Sequence, residues 1–552
     1  MTEGKTAMAE RRRNPSDRTR REFIQGVGLG GLALVLGGPL AAACAPGTGG
    51  VGGDSSPKKG GSFIVAMDAD APNLNPMTSQ VLQTFYPSNQ IFDTLVKYDK
   101  DFQPIPWLAR SWKISPDGKT FEFTLAQGVK WHDGKPFSSD DIRYTFEEAG
   151  PKYSNTYTLV MKDLESIDAP EGKVVFHFRQ PVGALMAYLG DPNFNILPKH
   201  IYSGTDPRTN NANSEPVGTG PFMFKEWARG DHLTLARNSS YWQKDLPYLD
   251  EIVFRTIPNA AAAVAALQQG DISFLLTRIP PVDAQRLKSV SGITTLSPSV
   301  LARTLDLWPN LRNAPLRDLK VRQAINIAVD RPRMVQSIAF DQTVTARGPI
   351  GTTSPYFDSS LPELKRDVQK ANDLLDAAGY RRAGSGTRFP LNLRVVASVD
   401  QFAKTAQIVK ENLADVGIDV TIVAAETTTT LDAIFKRWDF DLAIYSMPLG
   451  PEPSLQLPAW LGTTGINRAY FSNAQGYSND TVDSLTAQAQ RTVERKDRMD
   501  LYKKIQQQIM ADLPLIPLWE PIFISGYRNE FRNAFTAPDD RYLNWTETWK
   551  GA

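Results

Sequence analysis

The chain predicts a multi-domain α/β protein, on two local patterns and one matter of length. "LNLRVVAS" (391–398) alternates apolar and polar residues like a half-buried strand. "FAKTAQIVKENLADVG" then reads as an amphipathic helix closed by Gly417, and "IDVTIVAAE" opens a second strand. Strand, helix and strand at that spacing form a right-handed crossover between parallel strands. "TFEFTLAQGVKW" puts Phe121, Phe123 and Leu125 on one face, the period-2 signature of another strand. About 490 residues follow the first 60, ample for several packed cores.

The other elements follow in order. "PDGKT" is a turn whose chemistry comes from Asp117-Gly118, and "KVVFHF" (173–178) is a strand. In "FSSDDIRYTFEEAG", Ser138 or Ser139 caps a helix, Asp140 and Asp141 favour its positive end, and Gly150 stops it. "DLKVRQAINIAVD" carries Val321, Ala324, Ile325, Ala328 and Val329 as a buried helical stripe. A long C-terminal helix turns Met499, Tyr502, Ile505 and Ile509 inward, and Pro514 and Pro517 end it.

The first 60 residues are of another kind. A basic leader is followed by an apolar but glycine-loosened run (26–43), Cys44, and the Gly/Ser/Pro tract "APGTGGVGGDSSPKKGG". That order is the order of an export signal, and the run is short of the roughly 20 strongly apolar residues a membrane span needs. "TRREFIQ" resembles the twin-arginine export motif, with Arg20 and Arg21 as the pair. "LAAAC" resembles a bacterial lipobox, which implies that Cys44 is acylated and becomes the mature N-terminus. The expected organisation is a signal peptide over 1–43, a flexible tether over 44–60, and a body anchored outside the cytosol, in the periplasm or at the cell surface.

Composition narrows the partners. A net charge of +1 with 22% charged residues gives no basic surface for nucleic acid. A single cysteine excludes any intramolecular disulfide. Four isolated histidines (His132, His177, His200, His232) lack metal-ligand spacing, and no phosphate loop is present, so neither metal nor cofactor is expected. A monomer is expected.

Several segments in one collinear order resemble the large solute-binding proteins of bacterial ABC importers, the dipeptide/oligopeptide-binding (family 5) type. They are "WLARSWKISPDGKTFEFTLAQGVKWHDGKPFSSDDIRYTFE" (107–147), "PVGTGPFMFKEW" (216–227), "RNSSYWQKDLPYLDEIVFRTIPN" (237–259), "PLRDLKVRQAINIAVDR" (315–331), "ANDLLDAAGY" and "GYSNDTVDSL". The resemblance implies a type II periplasmic-binding-protein-like clamshell: two lobes with an inserted third domain. One lobe would comprise 61–95, 199–300 and 520–552, the insertion 96–198, and the second lobe 301–519. A small solute would be buried between lobes that close by hinge motion, then handed to permease subunits whose ATPase is a separate chain. No catalytic residues are implied. "WHDGKPF" reads as a turn rather than a catalytic histidine, and "PVGTGPF" as a tight backbone turn rather than a phosphate loop.

Peptide binders of this family hold the ligand's amino group with an aspartate three residues before an acidic-Pro pair, after a Gly-Trp step. Here "DFDLAIYSMPLGPEPSLQLPAWL" makes that pair Glu452-Pro453, which puts Leu449 or Gly450 at the aspartate's place and Met447 at the tryptophan's. A desolvated ammonium without a counter-charge loses several kcal/mol. A non-peptide or N-blocked solute is therefore favoured over an ordinary peptide, unless Glu452, or Asp70 in "DADAPNLNP", supplies the charge. Trp308, Trp438 and Trp460 add flat rings that suit sugar faces and suit cores as well. Two rival classes stay open: an exported hydrolase, which chromogenic substrates would reveal, and a sensor or chaperone on the same clamshell, which neighbouring permease genes would argue against.

Overall fold

A computed structural model describes residues 56–551 except 298–302, 385, 451 and 538. The expectations for Arg20, Arg21, Cys44 and most of the tether lie outside the described residues.

Three sheets organise the chain. The first has seven strands, in the order Ile293–Leu296, Ile524–Arg528, Phe274–Ile279, Ser62–Met67, Glu251–Thr256, His232–Arg237, Phe222–Ala228. Ser62–Met67 runs parallel to both of its neighbours, and the remaining pairs are antiparallel. The second has five strands, in the order Ile418–Ala425, Phe389–Val396, Leu442–Met447, Thr304–Pro309, Ile516–Trp519. A four-stranded antiparallel sheet (Ala109–Ile114, Thr120–Leu125, Lys173–Phe178, Leu164–Asp168) is built wholly from chain inserted between the first two strands of the large sheet.

The crossover forms as the pattern predicts. Phe389–Val396 and Ile418–Ala425 pair in parallel over eight residues, joined by the helix Asp400–Asp415. Gly417 leaves that helix at φ +79°, a conformation that costs a side-chain-bearing residue about 1 kcal/mol or more. Asp318 caps the helix Leu319–Ala328, whose Val321, Ala324, Ile325 and Ala328 are fully buried. The helix Arg495–Asp512 ends at Leu513, in left-handed conformation ahead of Pro514. Its buried face includes Arg498 and Gln506, which an apolar pattern does not single out.

One helix end differs from expectation. Ser138 caps the helix Ser139–Arg143, with Asp141 Oδ2 accepting from the Ser138 amide at 2.9 Å, but Gly150 does not stop the chain. Helical geometry runs on through Tyr144–Ala149 and Gly150–Tyr153. Packing explains the glycine: a Cβ on Gly150 would lie 2.1 Å from the Tyr157 ring. Space at this position, rather than backbone freedom, is what requires glycine.

The cores show how the bodies join. One apolar cluster runs from Phe63, Leu235 and Phe254 of the seven-stranded sheet to Phe121, Phe123 and Phe176 of the insertion, which ties those bodies together. A second spans Ala66, Leu275 and Ile524 and continues into Leu305, Leu393 and Trp519 of the five-stranded sheet. The opposite face of the five-stranded sheet has its own cluster around Trp308, Phe435 and Trp460.

Candidate functional site

The chain passes between the two large sheets twice, from Ile293–Leu296 to Thr304–Pro309 and from Ile516–Trp519 to Ile524–Arg528. Two connections between two lobes are the elementary construction of a hinge. Arg303 stands at the foot of its strand, immediately after the first crossing, with its guanidinium 5.9 Å from the Phe523 ring of the second crossing. Among the described residues its Nε has no hydrogen-bond partner. Burial lowers its pKa, opposed by the charges of Asp539 and Asp540 and by Tyr445. A buried guanidinium nitrogen without a partner loses hydration and regains nothing unless another group fills its place.

The other bank comes from the seven-stranded lobe. There the helix Leu82–Ile91 packs against the C-terminal turn Asp540–Tyr542. Tyr86 donates to Asp540 Oδ2 at 2.9 Å, while among the described residues Asp540 Oδ1 has no partner although the residue is fully buried. Burial raises the Asp540 pKa, offset in part by hydrogen bonds from Asp539 and Tyr86. Arg541 lies over the Phe85 ring at 4.5 Å and donates to Asp191 of the insertion at 2.9 Å, its Nε again unpartnered. Tyr445, on the strand Leu442–Met447, completes the set from the five-stranded lobe, and burial pushes its phenol up to about 12. Charges of both signs, each with an unfilled hydrogen-bonding position, thus meet between bodies that a hinge connects.

The residues singled out from sequence occupy other places. Asp70 accepts from Trp227 Nε1 at 2.9 Å and from the Gly230 amide at 3.0 Å, inside its own lobe. Trp308 and Trp460 are buried 5.6 Å apart in one aromatic cluster with Phe435 and Tyr445, so their faces meet protein. Trp438 is held between the guanidinium groups of Arg312 and Arg468, at 3.7 and 4.3 Å. Met447 and Leu449 belong to the same apolar cluster. Gly450 follows at φ +70°, where a side chain would be strained. Glu452 is fully buried, paired with Arg498 at 3.3 Å and hydrogen-bonded by Tyr502.

The two turns hold each other. His132 Nδ1 accepts from the Gly218 amide at 3.1 Å, and Nε2 lies 3.0 Å from the Gly220 carbonyl. Burial lowers that imidazole to about 4, so it is neutral at pH 7. A Cβ on Gly218 would meet the Ile91 carbonyl oxygen at 1.8 Å, so close backbone approach explains the glycine. Among the described residues no group of three or more His, Cys, Asp or Glu is placed to hold a metal ion, and no helix is long and apolar enough to cross a membrane.

Sequence reasoning did not find Arg303, Tyr445, Asp540 or Arg541. The faint signals were an arginine opening a mostly apolar strand ("RTLDLWP") and an acidic pair before arginine ("PDDRY").

Comparison with known proteins decides the family. Residues 103–468 match the family described as bacterial extracellular solute-binding proteins, family 5 Middle. The chain belongs to this family. The oligopeptide-binding protein AppA of Bacillus subtilis is 27% identical over 485 residues, covering 84% of this chain and 87% of AppA. The glutathione-binding protein GsiB of Pectobacterium atrosepticum is 27% identical over 488 residues, covering 86% and 92%. The ABC transporter-associated periplasmic binding protein DppA of Helicobacter pylori, solved with the peptide STSA, superposes with a TM-score of 0.73 at 25% identity, over 89% of this chain and 98% of DppA. The family 5 architecture is the two-lobed clamshell with an insertion, and the three sheets above are its parts. Family 5 members are transport proteins rather than enzymes, and bind small solutes outside the cytosol.

Proposed function

We propose that this protein is the membrane-tethered binding component of an ABC import system, closing around a small zwitterionic solute of the peptide or amino-acid-derivative class and delivering it to a permease. One observation carries the reading: Arg303 and Asp540, contributed by different lobes, each keep a buried atom without a hydrogen-bond partner among the described residues. A solute with an acidic group for Arg303 and an ammonium for Asp540 fills both positions, and charge-assisted hydrogen bonds are the strong ones. Asp540 would supply the counter-charge that Leu449 and Gly450 lack. The oligosaccharide reading loses support, because Trp308 and Trp460 pack on protein and two guanidinium groups already lie over the ring of Trp438. The oligopeptide, glutathione and tetrapeptide ligands named for the relatives agree with an amine-bearing solute.

The same proposal assigns 61–95, 199–300 and 520–552 to one lobe, 96–198 to the insertion and 301–519 to the other lobe, in keeping with the strands each sheet draws on. It takes the body as a monomer, tethered through an acylated Cys44 after twin-arginine export. The test is native mass spectrometry of the purified protein, followed by small-angle scattering with the solute so identified. A co-purifying amine-bearing acid that reduces the radius of gyration supports the reading; turnover of that compound, or no change of shape with it, defeats it. For the tether, a Cys44→Ala variant is expected to leave the membrane fraction.

A further inference from the structure

A cavity of about 140 Å³ lies at the joint between the seven-stranded lobe and the insertion. The insertion contributes Lys97, Tyr98 and Trp107, and the lobe contributes Asn89, Tyr542 and Asn544. No residue of the five-stranded lobe lines it, so it is distinct from the interlobe space of Arg303 and Tyr445.

Its polar walls are already satisfied within the protein. Asn89 donates to the Arg541 carbonyl and Asn544 to the Asn89 carbonyl, both at 2.7 Å. Tyr98 donates to the Ala187 carbonyl at 2.7 Å, and Trp107 Nε1 to Asp93 at 2.6 Å. Lys97 is the exception: among the described residues its ammonium has no hydrogen-bond or ion-pair partner and lies 5.4 Å from the Trp107 ring centroid. Burial lowers its pKa, with Asp93 opposing. Asp93 is itself engaged, accepting from Trp107, Thr219 and Trp242. Lys97 is half-buried, and a cation facing a cavity with aromatic walls and no anion beside it suits an anion with an apolar body.

We propose that this cavity is a second binding site, for a small aromatic monocarboxylate whose carboxylate meets Lys97 Nζ and whose ring lies against Trp107 and Tyr542. Size agrees, since an engineered cavity of about 150 Å³ takes up benzene. The exposed carboxylate of Glu547 at the rim disfavours a dianion. The site is independent of the transported solute.

Calorimetric titration of the full mature protein with benzoate, benzyl alcohol and phthalate tests this. Benzoate is expected to bind one to one, and benzyl alcohol and phthalate at least tenfold more weakly. Lys97→Met should weaken benzoate at least tenfold while leaving the unliganded melting temperature equal or higher, since it replaces a half-buried charge that has no ion-pair partner among the described residues. Arg303→Ala should leave benzoate binding unchanged, which separates this site from the interlobe one. The proposal falls if benzoate gives no binding heat, if Lys97→Met does not alter its binding, or if Arg303→Ala abolishes it. A melting temperature lowered by Lys97→Met would also overturn it, by showing that the ammonium is already partnered.

Discussion

Tyr188 of the insertion donates its phenolic proton to the backbone carbonyl of Glu452 at 2.6 Å, across a sequence separation of 264 residues. The Glu452 side chain faces the other way, to Arg498 and Tyr502. One residue thus anchors the interior of the five-stranded lobe and receives the insertion. The glutamate is a structural joint.

Removing that carboxylate leaves Arg498 buried without its anion. Breaking one partner of a buried pair typically loses about 3–5 kcal/mol. Glu452→Ala is expected to lower unfolding free energy by about that much in urea titration; a loss under about 1 kcal/mol would mean that the pair is dispensable.

The insertion docks on the five-stranded lobe at a second point, where the Gly183 amide donates to the Gln490 carbonyl at 2.8 Å. A Cβ on Gly183 would stand 1.9 Å from the Thr492 carbonyl oxygen, and backbone cannot yield cheaply. Gly183→Ala is therefore expected to hold the bodies apart, with a larger solution radius of gyration in the presence of solute. Gly384→Ala is the control, because nothing lies within 4 Å of a Cβ there. Identical scattering from the two variants would refute the docking argument.

Arg303→Ala and Asp540→Asn each remove one charge from the proposed interlobe site. Each is expected to weaken the transported solute by roughly tenfold to a hundredfold, as loss of a charge-assisted hydrogen bond does. The unliganded melting temperature should change little, because the deleted charges have unfilled hydrogen-bonding positions. Unchanged affinity in both variants would move the binding site elsewhere.

His132 gives a pH dependence with a definite sign. Its folded pKa, about 4, lies below the ordinary 6.5, so the unfolded chain binds more protons between those values. Its contribution is fully present above about pH 6.5 and is lost as pH falls toward 4. The part of the ring that reaches solvent keeps the effect on the order of 2 kcal/mol. His132→Gln should flatten the melting temperature against pH between 4 and 6.5 relative to the parent; parallel curves would contradict the burial argument.

Local chemistry was legible in the chain. The crossover of 389–425 shows itself because its periodicity changes from 2 to 3.6 and back, and Asp117-Gly118 because its turn needs φ +65° at the glycine. Ser138 announces a helix start because a cap acts within three residues. The order of motifs likewise indicated the clamshell. Gly150 shows where such reasoning ends: it looks like a stop, yet its reason is the ring of Tyr157, which only the folded chain brings near.

The interlobe site belongs wholly to tertiary structure. Arg303 and Asp540 are far apart in sequence and carry no common pattern; what relates them is a buried polar atom without a partner among the described residues, a property of the surroundings. Trp308, Trp460 and Glu452 drew attention for what their side chains can bind, and the fold commits them to other side chains. By itself the sequence determined class, element order and family, because these rest on hydrophobic period and short-range capping. Which charged groups stay unsatisfied was decided by long-range packing, since desolvation depends on everything that surrounds an atom and not on its neighbours along the chain.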